Sequence, residues 1–147
     1  MKILINCSTL KKGGAIQVGH SFIHELNNFY SDYTIVVCSS ALYNQLDLRS
    51  FNNNFKFLKH DTTPSIFGVF VGKNRHLDNV VYKNKIERVF TVFGPSYWRP
   101  KVPHLCGYAK PQYIFKNSPF FANQKNIDRL KIFLREKIQL FDFKKNN

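Results

Sequence analysis

Acidic residues are scarce in this chain. Its 147 residues carry 9 Asp and Glu against 22 Lys and Arg, a net charge of +13. The shortage excludes a phospho-acceptor domain, which needs several carboxylates at its strand ends, where only Asp61 is on offer. Cysteine is also sparse. Cys7, Cys38 and Cys106 show no C-x-x-C spacing and fall inside apolar, strand-like runs, which argues against a disulfide framework or zinc ligation and for buried, reduced thiols. No G-x-G-x-x-G follows the first apolar run, and the second ends in Ser39-Ser40 where a ribose-binding carboxylate belongs, so the dinucleotide fingerprint is missing. A G-x-x-x-x-G-K-[ST] loop is missing too. No apolar run approaches the ~20 residues of a membrane span, and Ile3-Leu4-Ile5 is too short a run for a signal peptide. The expectation is a cytoplasmic chain, soluble or peripheral at the inner face of the membrane.

What is present is apolar and aromatic. At 44% apolar and 16% aromatic, with 15 Phe, the chain has ample material for one core, and its length suits one domain over residues 1–147 without internal repeats. Charge is uneven. Residues 1–72 hold six Lys and Arg against four acids, whereas residues 73–147 hold sixteen against five. That asymmetry points to an anionic partner for the second half: nucleic acid, an acidic membrane or a phosphorylated substrate.

Along the chain, strands alternate with helices. Ile3-Leu4-Ile5 reads as a strand, followed by the glycine pair Gly13-Gly14 and a helix over Ala15–Asn28 with Ala15, Gly19, Phe22 and Leu26 on one stripe. Tyr33–Ser40 is a continuous β-branched run, the pattern of a strand buried on both faces of a parallel sheet. A short helix over Ala41–Leu48 and a third strand over Phe55–His60 follow. Thr63-Pro64 reads as an N-cap and first helical proline, opening a helix that puts Ile66, Phe70, Leu77 and Val81 on one face. Arg88–Phe93 is a fourth strand, ended by Gly94-Pro95, and His104–Ala109 a short fifth. Pro111–Phe121 is irregular, and a basic amphipathic helix from Asn126 aligns Ile127, Leu130, Leu134, Ile138 and Phe141. The fold class is therefore α/β, a Rossmann-like open parallel sheet with helices on both faces. A helix with an apolar face ordinarily returns the chain to the sheet, so the chain is expected to break off before a further strand.

Two stretches offer chemistry. At Gly13-Gly14 the backbone can approach a ligand closely while the amides of the helix start face an anion and Lys11 and Lys12 add positive field; a plain tight turn would look the same. In the loop from Gly94 to Lys110, Tyr97, Trp98, Arg99, Lys101, His104 and Tyr108 set rings beside cationic donors, which suits a sugar, a base or a phosphate, or a small aromatic core. His104 is the one evident general base there. His20 and His24, one helical turn apart, lack a third zinc ligand and read as helix surface. His60 and Asp61 end a strand near the Gly13 edge, a position from which they could line a cleft, and a capping or loop role is the expectation.

Lys2-Ile3-Leu4-Ile5-Asn6, the turn Lys12-Gly13-Gly14-Ala15 with its helix, and Val92-Phe93-Gly94-Pro95 before an aromatic loop resemble the amino-terminal domain of GT-B glycosyltransferases, nearest the family 4 bacterial enzymes of polysaccharide and lipopolysaccharide biosynthesis. The resemblance implies an acceptor-side domain facing a donor-binding domain across a cleft. It implies a nucleotide-sugar donor as substrate, a saccharide or lipid-linked acceptor, and no separate cofactor or metal. It places Gly13 and Gly14 at the donor phosphates and Tyr97, Trp98, Arg99 and His104 at the acceptor. The paired glutamates that the family carries on its second domain, seven residues apart, have no counterpart here, so no catalytic residue is assigned and the chain alone is expected to be incomplete for catalysis. Peripheral contact with anionic membrane fits the resemblance, and nucleic acid is not expected as partner. The rival reading is a basic binding module for nucleic acid or anionic membrane, or an inactive remnant.

Overall fold

A computed structural model describes residues 1–63, 70–108 and 126–146. Five strands form one all-parallel sheet: β1 (Ile3–Cys7), β2 (Thr34–Cys38), β3 (Phe55–Lys59), β4 (Arg88–Thr91) and β5 (His104–Cys106). Their order is β3-β2-β1-β4-β5, so the chain winds outward from β1 in one direction and then returns to β1's other side. This is the doubly wound arrangement of a Rossmann-like α/β fold, as the strand–helix alternation implied.

Strand alternation divides the core in two. One face gathers Ile5, Cys7, Val36 and Cys38 under Ile16 and Ile23 of α1 (Gly14–Phe29) and Leu42 of α2 (Ser40–Tyr43). The opposite face gathers Leu4, Ile35, Val37 and Val89 under Leu77 and Val80 of α3 (Arg75–Asn84), with Ile86 and Trp98. β2 is buried at every position, which is why its sequence is continuously apolar rather than alternating.

The strands are shorter than their apolar runs, because β4 stops at Thr91 and β5 at Cys106. The short second helix ends at Tyr43, with a 3-10 turn at Leu48–Ser50 after it. The long helix expected from Thr63 to Val81 is not continuous. Gly72 takes a positive φ of 63°, Asn74 accepts a hydrogen bond from the Leu77 amide at 3.1 Å as N-cap, and α3 starts only at Arg75. Leu77 is buried as expected, but Phe70 is exposed; Pro64 and Ile66 lie outside the described residues, as does the Pro111–Phe121 stretch.

The terminal helix α4 (Asn126–Asn146) forms where expected but is turned over. Among its described side chains the buried ones are Gln139 and Asp142; of the expected stripe Ile127, Leu130 and Leu134 are more than half exposed, Phe141 is exposed and Ile138 is half-buried. The physical cause is a tether. Arg99 pairs with Asp142 across 3.4 Å, and a charge buried that deeply fixes which face of the helix turns inward. Among the described residues no helix is long and apolar enough to cross a membrane.

Candidate functional site

In an open parallel sheet, ligands gather at the carboxyl ends of the strands where the winding reverses. Here that point lies between β1 and β4. The loops leaving the strands on this edge begin with hydroxyl residues: Ser8-Thr9 after β1, Ser39-Ser40 after β2, and Thr62-Thr63 beyond β3. Thr9 Oγ1 donates to the Phe93 carbonyl at 3.4 Å, closing the two loops that flank the switch point.

The glycine turn stands on this edge. Gly13 has φ 65° and ψ −151°, a backbone region that essentially only glycine occupies. It is followed directly by the first turn of α1, which carries no side-chain cap. A Cβ built on Gly13 or Gly14 would meet nothing within 4 Å, so the turn opens on free space and its glycines serve conformation and access rather than packing. Lys11 Nζ donates to Thr63 Oγ1 at 2.7 Å, which stations its charge over the β1 and β3 loops, while Lys12 is exposed.

A chain of buried polar side chains runs beneath this edge. The Asn74 amide donates to Thr62 Oγ1 at 3.4 Å. Thr62 and Ser8 share a hydroxyl bond of 2.8 Å, and Ser8 Oγ donates to Asn6 Oδ1 at 2.7 Å. Asn6 Nδ2 donates to Thr91 Oγ1 at 3.2 Å, and Thr91 Oγ1 lies 2.9 Å from His104 Nε2. Asn6, Ser8 and Thr91 are fully buried. The chain links the α3 N-cap to β5 through the middle of the sheet and fixes the loop that carries Gly13. One signal for it was in the sequence: an asparagine within the apolar run of a central strand must find partners.

The acceptor-side candidates separate. Trp98 is a core residue, 1% exposed, and its Nε1 donates to Asp78 Oδ1 of α3 at 2.8 Å. It has no free ring face for a sugar, which corrects the expectation of a stacking platform; the proline-punctuated loop folds its largest ring inward because that burial outweighs any other use of the side chain. Arg99 is likewise engaged, packed on Gly72 and paired with Asp142. Tyr97, with a positive φ of 51°, and His104 are half-buried, the latter with its ring 6.0 Å from that of Trp98. The glycine pair thus belongs to the β1–α1 turn, whereas Trp98 and Arg99 turn toward α3 and α4.

The remaining titratable groups on the edge hold structure. Asp61 accepts from the Ser40 amide at 3.1 Å and from Ser40 Oγ, and those bonds, followed by Lys11 and His60, hold its carboxyl below the usual range. Capping α2 is its role, as expected. His60 stacks on His76 with centroids 3.9 Å apart, and burial, then the neighbouring imidazole, lowers its pKa. His20 and His24 are not a solvated face: the rings lie 4.4 Å apart, with His24 also 4.6 Å from Phe51. Burial pushes the Cys38 and Cys106 thiols up to about 12 and Cys7 upward as well, so all three free cysteines are poor nucleophiles. Among the described residues no cluster of three or more His, Cys, Asp or Glu side chains could hold a metal ion.

The fold is that of an α/β protein, and this edge carries an open glycine turn over a buried polar chain. Comparison of the chain with protein-family models, with curated proteins and with solved structures finds no match.

Proposed function

We propose that this chain is the acceptor-side domain of a cytoplasmic glycosyltransferase that moves a sugar from a nucleotide-sugar donor to a saccharide or lipid-linked acceptor in surface polysaccharide synthesis. One observation carries the reading: the uncapped amino terminus of α1, reached through Gly13 at the sheet's switch point and open above both glycines. Free amides at a helix start, helped by the helix dipole and Lys11, suit the diphosphate of such a donor. Tyr97 and His104 remain as acceptor contacts, with Trp98 and Arg99 holding their loop from behind.

The edge supports binding more than proton transfer, since Asp61 and His60 are both committed elsewhere. The proposal therefore gives this chain the task of holding and orienting substrates. Gly14→Val tests it. Gly14 is helical with open space around its Cβ position, so the substitution leaves packing intact while it covers the amides. Titration calorimetry with uridine diphosphate should show binding to the parent chain and a loss of about tenfold or more in the variant, the worth of one charge-assisted hydrogen bond. Equal binding by parent and variant, at equal melting temperature, removes the glycine turn from the ligand site.

A further inference from the structure

We propose that His20 and His24 form a two-imidazole chelate for a tetragonal divalent ion, nickel(II) or copper(II), on the flank of α1, independently of the sugar-transfer reading. The two residues lie four apart, about one helical turn, which sets both side chains on the same side of the helix. Their ring centroids are 4.4 Å apart and their planes are inclined by 40°. Inclined planes meet along a line, and an ion on that line is coplanar with both rings, as the in-plane lone pairs require. With metal–nitrogen bonds of about 2.1 Å an ion stands ~3.2 Å from each ring centre, so rings at this separation subtend about 90° at it. That is the angle between neighbouring ligands of tetragonal nickel and copper, whereas tetrahedral zinc needs the rings spread further.

The other histidine pair shows what the inclination contributes. His60 and His76 stack 3.9 Å apart at only 15°, and lone pairs that run nearly parallel do not meet at a shared ion. Support around His20 and His24 is already built. His24 rests on the Phe51 ring at 4.6 Å, and Phe51 is backed in turn by Phe57 at 4.8 Å and Phe55 at 6.0 Å, which walls off one side of the imidazole. Asp47 stands near enough for its charge to act on His24. A carboxylate outside the ligand set favours the cation and raises the basicity of the imidazole beside it. Among the described residues no third His, Cys, Asp or Glu completes the set, so water holds the remaining positions of the ion.

Titration calorimetry of the chelator-treated full chain with nickel chloride tests this. One ion per chain is expected, in the micromolar range, with copper(II) bound tighter than nickel and zinc weaker. His20→Gln or His24→Gln should each weaken nickel binding about tenfold or more by removing one arm of the chelate, while His60→Gln leaves it unchanged. Paramagnetic resonance of the copper(II) form should show splitting from two equatorial nitrogens, a count that needs no variant to fold. Full nickel binding by both pair variants overturns the proposal, as does its loss in His60→Gln. No saturation below millimolar metal, or zinc bound tighter than nickel, overturns it too. No arm of the experiment reads nucleotide binding, so it and the glycine-turn test fail separately.

Discussion

Replacing Asn6 by leucine should cost this protein about 3 kcal/mol, far more than a same-sized exchange on the surface. Asn6 is fully buried in the central strand and makes three side-chain bonds: it accepts from the Ser8 amide at 3.2 Å and from Ser8 Oγ at 2.7 Å, and donates to Thr91 Oγ1 at 3.2 Å. Leucine removes all three. The Ser8 hydroxyl can turn toward Thr62, and Thr91 keeps His104, so those two losses amount to about 1 kcal/mol each. The Ser8 amide has no such alternative, and stranding a buried donor adds about 1–3 kcal/mol, offset in part by leucine's extra apolar contact. Urea unfolding followed by circular dichroism measures the sum as a lower midpoint at unchanged slope. A thermal midpoint should fall by about 10 °C at this chain length. Thr91→Val made alone and with Asn6→Leu closes a double-mutant cycle, and the pair should be non-additive by at least about 0.5 kcal/mol. A loss below about 0.5 kcal/mol for Asn6→Leu, or strict additivity, would refute the idea that the polar chain acts as one unit.

Trp98→Phe should cost about 2–3 kcal/mol through loss of the 2.8 Å bond to Asp78 and of ring volume in the core. Because Trp98 is the single tryptophan, native fluorescence should be blue-shifted and move to the red on unfolding; native emission already at the solvent position would refute its burial. Stability should fall as pH drops below 6.5, the ordinary histidine value, because His60 and His24 both have pKa values lowered on folding, so the unfolded chain takes up their protons first. His60→Gln should flatten that slope, and a melting temperature constant from neutral pH to below the histidine range would contradict it.

The sheet was legible in the sequence because β-branched runs such as Ile35-Val36-Val37 have few other uses, and because Gly13-Gly14 punctuates the chain where α1 begins. Boundaries were less legible. Thr91 and Cys106 end strands whose apolar runs continue, and the hydrogen bonding runs on past them: the Val92 amide donates to the Asn6 carbonyl at 3.1 Å and the Gly107 amide to the Thr91 carbonyl at 2.8 Å. The break at Gly72 was hidden because Leu77 and Val81 keep the helical period on its far side. Local periodicity recovered α4 as an element but not its orientation, which depends on one long-range pair, Arg99 with Asp142, 43 residues apart. The same limit governs the site. Composition marked Tyr97, Trp98 and Arg99 as interesting, but whether a ring faces ligand or core is decided by what lies behind it, here Asp78 and α3.

The position of β1 also sets an order of events during synthesis. It pairs with β2, whose residues end at Cys38, but its other neighbour is β4, which begins at Arg88. At about 5–20 residues per second, tens of residues and several seconds separate the completion of those two neighbours on the ribosome. Throughout that interval one edge of Ile3–Cys7 has no strand beside it and the amide of Asn6 has no Thr91 to meet. The first strand made is thus among the last to be sealed, and the nascent chain carries an unprotected, largely apolar edge that invites chaperones or aggregation until residues 88–91 arrive.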